Sequence, residues 1–159
     1  MTTPDFVLSL REKIGTDMLW LTGVTAVVLR GEDDAQEVLL VKRADSGAWT
    51  PVTGIIDPGE EPAVAAAREV VEEAGVVAVA ERLVWLQVIP PIRYPNGDLS
   101  QFLDHVFRFR WESGDPYPAD GENTEAAWFP LSALPAMSPN MTERIATALR
   151  NDPETRFQR

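Results

Sequence analysis

Glu69, Glu72 and Glu73 place three carboxylates within five residues of a 159-residue chain that has one histidine and no cysteine. Residues 69 and 73 are four apart, so on a helix they form a like-charge pair on one side. Glu72 and Glu73 lie just ahead of Gly75. If the helix ends there, both sit in its last turn, where the dipole disfavours each carboxylate by about 0.3–1 kcal/mol. Such a group is either a solvated acidic face or a place for a cation. With oxygen donors alone, the ion that fits is a hard one, Mg²⁺ with Mn²⁺ as a substitute, rather than zinc.

The flanking residues supply the element that holds these carboxylates. Pro58-Gly59 makes a turn, Pro62 suits the first helical position, and Gly75 suits the left-handed position that ends a helix. The expected helix runs from Pro62 to Ala74. Val64, Ala67, Val71 and Ala74 recur at spacings of three and four, which predicts an apolar stripe against the core with the glutamates turned away from it.

Gly54, Glu60 and the run Arg68-Glu69-Val70-x-Glu72-Glu73-x-Gly75-Val76 stand at spacings that resemble the complete box of the Nudix hydrolases. The resemblance implies an α/β/α sandwich around a mixed sheet. It also implies a metal-dependent hydrolase that cleaves a pyrophosphate bond in a nucleoside diphosphate linked to another moiety. ADP-ribose or a nucleotide sugar leads as the small-molecule substrate. Carried over position by position, Glu69 and Glu73 are metal ligands, and Glu72 is a third ligand or a holder of the reacting water. Arg68 pairs with Glu60 to brace the loop, Gly54 and Gly75 serve the backbone, and the carbonyl of Thr53 completes the ligand set. Thr53 departs from the glycine common at this place, and its β-branched side chain restricts the backbone there. A further carboxylate outside the box, Glu122 or Glu125, is expected to position or deprotonate the water. The family also allows a homodimer that completes the site.

Two other functions stay open at this point. One is a pyrophosphohydrolase of oxidised nucleoside triphosphates, and the other is a non-catalytic module that senses a nucleotide. The intact set of Glu69, Glu72 and Glu73 favours an enzyme over the sensor. The absence of cysteine removes a thiol nucleophile and speaks against the isomerase branch that resembles enzymes using one.

Composition sets wider bounds. With 45% hydrophobic and 25% charged residues, residues 1–159 read as one globular domain. A formal net charge of −11, with no run of Lys and Arg, argues against binding long nucleic acid. The first residues carry no basic segment followed by an apolar one, and no stretch approaches eighteen apolar residues. The expectation is a cytoplasmic protein with no membrane association.

Along the chain, Phe6, Leu10 and Ile14 predict a short helix in a segment, residues 1–20, that packs on the body. Residues 21–29 and 37–43 predict a hairpin, which aims Lys42 and Arg43 toward the box; Arg43 is the phosphate-binding candidate and Trp49 reads as core. Residues 76–90 predict a strand bent at Ala80-Glu81. Tyr94-Pro95-Asn96-Gly97-Asp98 predicts a turn, with Arg93 and Tyr94 as candidates for phosphate and base. Residues 101–111 predict a half-buried strand with Leu103, His105, Phe107, Phe109 and Trp111 inward and Asp104, Arg108 and Arg110 outward. His105 reads as a core histidine before a catalytic one. Ser138 and Pro139 open a last helix that buries Met141, Ile145, Ala148 and Leu149, and the tail 151–159 is expected to fray.

Overall fold

A computed structural model describes residues 3–159, and Met1 and Thr2 of the expected packing segment lie outside the described residues. The fold is built on β1 (Leu19–Arg30), whose Val- and Thr-rich sequence suits a strand buried on both faces. Along Leu19–Leu29 it runs parallel to β7 (Leu99–Ser113). Its other edge is shared: residues 23–26 pair with β4 (Val52–Ile55), and only Leu29 and Arg30 pair with β2 (Glu37–Arg43). The expected hairpin is therefore two pairs long. Beyond it β2 leaves β1 and pairs with β8 (Asn123–Pro130) and the short β3 (Trp49–Thr50).

On the far side of β7 lies β5 (Val77–Val88), antiparallel to it, with the register shifting between Ala80 and Arg82, where the bend was expected. The two-residue β6 (Ile92–Arg93) folds back on β7 through the Tyr94–Asp98 turn. That turn is closed by Tyr94 N–H donating to Asp98 O and Gly97 N–H to Tyr94 O, both at 2.9 Å.

Helix α2 (Pro62–Ala74) and helix α3 (Pro139–Leu149) cover opposite faces of this mixed sheet, giving the expected α/β/α sandwich. The alternation of β1 shows the two sides. Val24, Ala26 and Val28 belong to the core under α2, and Val27 and Leu29 to the core under α3. A third, smaller core joins Val7 of α1 (Asp5–Ile14) to Leu19, Leu21, Ile55 and Phe102. Ser138 caps α3, its Oγ accepting from Met141 N–H at 3.4 Å. Among the described residues no helix is long and apolar enough to cross a membrane.

Four readings need correction. Two of the three valines of α2 face outward: Val64 is 60% and Val71 48% exposed. The buried face carries Ala65, Glu69 and Glu73 in one row of four-residue spacing and Ala66, Val70 and Ala74 in the next. Alanine lets the helix lie close on the sheet, and close packing outweighed the greater bulk of valine. In β7 the first half is inverted, with Ser100, Phe102, Asp104 and Val106 buried and Leu103 and His105 only half-buried, because this strand is central and has helices on both sides.

In α1 the buried anchor is Val7, while Leu10 is exposed. The tail, finally, does not fray along its whole length. Arg156 N–H donates to Val84 O and Leu86 N–H to Arg156 O, both at 2.9 Å. The Arg156 guanidinium stacks 4.0 Å over the ring of Trp85 and pairs with Glu143 at 2.7 Å. An unpaired stretch of β5 edge gives the tail its partner.

Candidate active site

The loop between β4 and α2 is held by one side chain. Arg68 Nε donates to Glu60 Oε1 at 2.9 Å and Nη2 to Glu60 Oε2 at 3.0 Å, a bidentate pair, and Nη2 also reaches Ile55 O at 3.2 Å. Glu60 in turn accepts from Asp57 N–H at 3.1 Å. The Arg68 hydrogen bonds lower the Glu60 pKa despite partial burial. The loop is thus fixed to the helix by charge-assisted bonds at both oxygens of one carboxylate.

Glu69 and Glu73, 4% and 3% exposed, are pressed against the body by that same helix. Glu69 Oε1 accepts from Arg68 Nη1 at 3.0 Å, and Glu73 Oε2 accepts from Asn123 Nδ2 at 3.2 Å. A Cβ at Gly54 would overlap the Glu69 carboxylate, so glycine leaves that carboxylate room against the backbone. Gly75 ends α2 in the left-handed conformation with φ 66°, and a Cβ there would run into the ring of Tyr117. Glu72 is different: its side chain is 52% exposed and accepts from Arg68 Nη1 at 3.1 Å. Joining its two neighbours around an ion would cost it that surface pair, worth no more than about 1 kcal/mol.

Burial raises the pKa of Glu69, and it raises that of Glu73 to about 7, with the Glu69 and Asp120 charges adding to the effect. Among the described residues no three His, Cys, Asp or Glu side chains are already gathered for a metal. The donor set nevertheless fits a hard divalent cation. It is all oxygen, two of its carboxylates are desolvated, and the neighbouring backbone at Gly54 is kept clear.

This gives a pH expectation. The folded-state pKa of Glu73 lies above its ordinary 4.5, so the folded protein holds the proton more tightly. That contribution is full below about pH 4.5 and is lost as pH rises through 7, a change of roughly 3 kcal/mol at most. Metal-free melts at constant ionic strength should therefore fall from pH 5 to 8, more steeply than for Glu73→Gln. Divalent-ion affinity should rise over the same interval, because the ion competes with that proton. A second expectation concerns Gly54→Ala: displacing the Glu69 carboxylate should weaken divalent-ion binding about 10–100-fold, read by titration, while the protein stays folded.

Beside Gly54 opens a cavity of about 330 Å³, lined in part by Thr53, Arg43, Arg93 and Tyr94. Arg43 makes a bidentate pair with Asp45 at 2.7 and 3.0 Å and also feels the charges of Glu73 and Tyr94. It therefore stands between the carboxylates and the cavity. Arg93 is exposed and donates to Gly97 O at 3.1 Å. Burial raises the Tyr94 pKa. A second cavity of about 360 Å³ shares Arg43, Asp45, Tyr94, Pro95 and Phe102 with the first and is also lined by Arg11 of α1.

Of the two loop carboxylates, Glu125 is paired with Lys42 at 2.9 Å on the paired strands β2 and β8. Glu122 lies in the loop beside Asn123, its carbonyl accepting from Ala44 N–H at 2.9 Å. Ala119 N–H donates to Glu73 O at 3.2 Å, which ties this loop to the end of α2. Asp120 and Asn123, both close to Glu73, escaped the sequence reading; the short polar run ahead of the last strand was the signal available. His105 is outside this group, with Nδ1 3.0 Å from Gly23 O, and it lines a separate groove together with Asp57 and Glu60 of the box loop.

Comparison with known proteins places the chain. It is 31% identical over 121 residues to the NAD-capped RNA hydrolase NudC of Deinococcus radiodurans, matching 75% of this chain and 40% of that one. It is 33% identical over 109 residues to the dihydroneopterin triphosphate diphosphatase of Escherichia coli, matching 69% of this chain and 63% of that one. The chain thus spans less than two thirds of the length of either relative. Among solved structures, an ADP-ribose pyrophosphatase from Streptococcus suis superposes with a TM-score of 0.65 at 23% identity, over 87% of this chain and 98% of that one, a likeness of fold. The NUDIX domain model matches residues 20–151, a span that takes in the braced loop, the glutamates of α2 and the whole sheet, and the chain belongs to the NUDIX family.

Proposed function

We propose that the protein is a divalent-metal-dependent hydrolase of a pyrophosphate bond in a nucleoside diphosphate linked to a second moiety. The observation that carries this reading is the pair of buried carboxylates, Glu69 and Glu73, with the Glu69 carboxylate against Gly54 at the wall of one cavity, which shares Arg43 with a second. A substrate with a bulky group at each end of a diphosphate suits two adjoining chambers that share an arginine. The relatives act, by name, on an NAD cap and on a triphosphate, which agrees with pyrophosphate chemistry and leaves the choice between the two substrate shapes to the cavities.

In this reading Glu69 and Glu73, with Glu72 and the Thr53 carbonyl, hold Mg²⁺ or Mn²⁺. The ion supplies water of lowered pKa and neutralises charge on the diphosphate. Arg43 exchanges its pair with Asp45 for a phosphate oxygen, Arg93 and Tyr94 border the bound nucleotide, and Glu122 or Asp120 takes the proton of the attacking water. A site of this kind works on small nucleotides in the cytoplasm.

The test is a panel with Mg²⁺ containing nucleoside triphosphates, nucleotide sugars, ADP-ribose and dinucleoside polyphosphates. Diphosphate-linked compounds should be the better substrates. Triphosphates cleaved about a hundredfold more efficiently, roughly 2.7 kcal/mol in transition-state binding, would overturn the preference.

A further inference from the structure

The buried end of the first cavity holds a polar group that neither the box nor the proposed chemistry uses. Arg144 of α3 is 4% exposed and Asp104 of β7 3%, and both line the cavity. Arg144 Nη1 lies 3.4 Å from Asp104 Oδ2 and donates to Thr25 Oγ1 at 2.8 Å; Nε donates to Asn140 Oδ1 at 2.9 Å. Asp104 accepts from Thr25 Oγ1 at 2.9 Å and from Gln87 Nε2 at 3.1 Å, and Asn140 Nδ2 donates to Gln87 Oε1 at 3.1 Å. Every partner in this network is thereby engaged.

One donor is left over. Arg144 Nη2 makes no hydrogen bond among the described residues, yet it is not sealed off: the sealed and unpaired side-chain atoms among them are Arg11 Nε and Trp128 Nε1. The nitrogen is therefore accessible, on a buried residue that lines the cavity. The same cavity is also lined by the apolar side chains of Ile89, Ile92, Phe102 and Met141. A volume of about 330 Å³ is in the range of small-ligand sites, and apolar side chains on its walls suit a ring.

The charge state decides what the ring presents. Asp104 already neutralises Arg144, so a second anion has little to gain here, while a neutral acceptor meets an unused, strongly polarised N–H. An amino group in the same place would set donor against donor and leave both unmet in a dry site.

We infer that Arg144 is a specificity-determining residue whose open Nη2 receives a ring carbonyl, so that the cavity takes an oxo-substituted nucleobase of the guanine, hypoxanthine or uracil kind in preference to adenine. The inference rests on the reading of this cavity as the nucleotide site, and it narrows the substrate away from the adenine nucleotide expected from the sequence.

The test compares ligands that differ only where the carbonyl sits. IMP and AMP are titrated by calorimetry without metal, and ADP-ribose and its deaminated hypoxanthine analogue are compared as substrates with Mg²⁺. The wild-type protein should bind IMP at least about tenfold more tightly than AMP and cleave the hypoxanthine compound with at least about tenfold higher kcat/KM. Arg144→Lys keeps a cation for Asp104 but removes the second terminal nitrogen of the fork, and with its melting transition intact it should bring both ratios to within about twofold.

Equal or tighter binding of AMP by the wild-type protein overturns the inference without any variant. So do failure of both monophosphates to bind at millimolar concentration and a folded Arg144→Lys protein that keeps the preference. A preference for IMP in a protein that cleaves no compound of the wider panel would remove the hydrolase reading and leave this one standing.

Discussion

Glu73→Gln should lower kcat/KM for pyrophosphate hydrolysis by at least about a hundredfold, with little change in fold. Gln has the shape of Glu and can still accept from Asn123 Nδ2, now 3.2 Å from Oε2, so the buried polar contact survives. What goes is one of the two buried carboxylates proposed to hold the cation. Loss of a residue that only supports a metal ligand commonly costs 10–100-fold, and a ligand itself should cost the upper end of that range or more. Rates measured at saturating Mg²⁺ and Mn²⁺ separate weakened binding from lost chemistry. Full turnover by Glu73→Gln at any metal concentration would remove Glu73 from the catalytic group.

The second large effect is on stability. Glu69 and Glu73 are buried one turn apart, with raised pKa values and a like-charge interaction between them. An ion that binds only the folded state stabilises it by about 2.7 kcal/mol at a hundredfold excess over Kd. For a chain of this size that is roughly 5–10 °C in Tm. Millimolar Mg²⁺ or Mn²⁺ at pH 8 should produce that rise, and NaCl at equal ionic strength should not. Replacing both Glu69 and Glu73 by Gln should abolish the response and leave the metal-free Tm at pH 8 unchanged or higher, since two buried charges are gone. A lower metal-free Tm would mean that the Glu69–Arg68 pair, 3.0 Å long, stabilises the loop more than the repulsion destabilises it.

Much of this site was legible before any coordinates, for a local reason. The boundaries of α2 follow from Pro62 and Gly75, whose backbone preferences are intrinsic, and the structure has the helix from Pro62 to Ala74. The Ser138-Pro139 start of α3 and the Tyr94–Asp98 turn are of the same kind. The box itself is a spacing of residue types within 23 positions, and it led directly to the family that the NUDIX model match establishes.

Which face of each element is buried could not be read in the same way. Val64 and Val71 are more hydrophobic than the alanines of α2, yet they point outward while Ala65, Ala66 and Ala74 lie inward beside Val70 and carry Glu69 and Glu73 in with them, because a face rich in alanine packs closely on the sheet. The alternation of β7 gave two possible insides, and only its place between β1 and β5 chose the one that buries Asp104. Arg144 meets Asp104 across forty positions, Asn123 meets Glu73 across fifty, and Arg156 meets Trp85 across seventy-one, all brought together by strand pairing and helix docking that no local pattern encodes. The sequence by itself determined the family and the loop and helix that carry the carboxylates. The tertiary structure alone decided that those carboxylates are buried, that two cavities meet at Arg43, and that a neutralised arginine waits at the buried end of one, since burial and long-range pairing are properties of the packed chain and not of any segment of it.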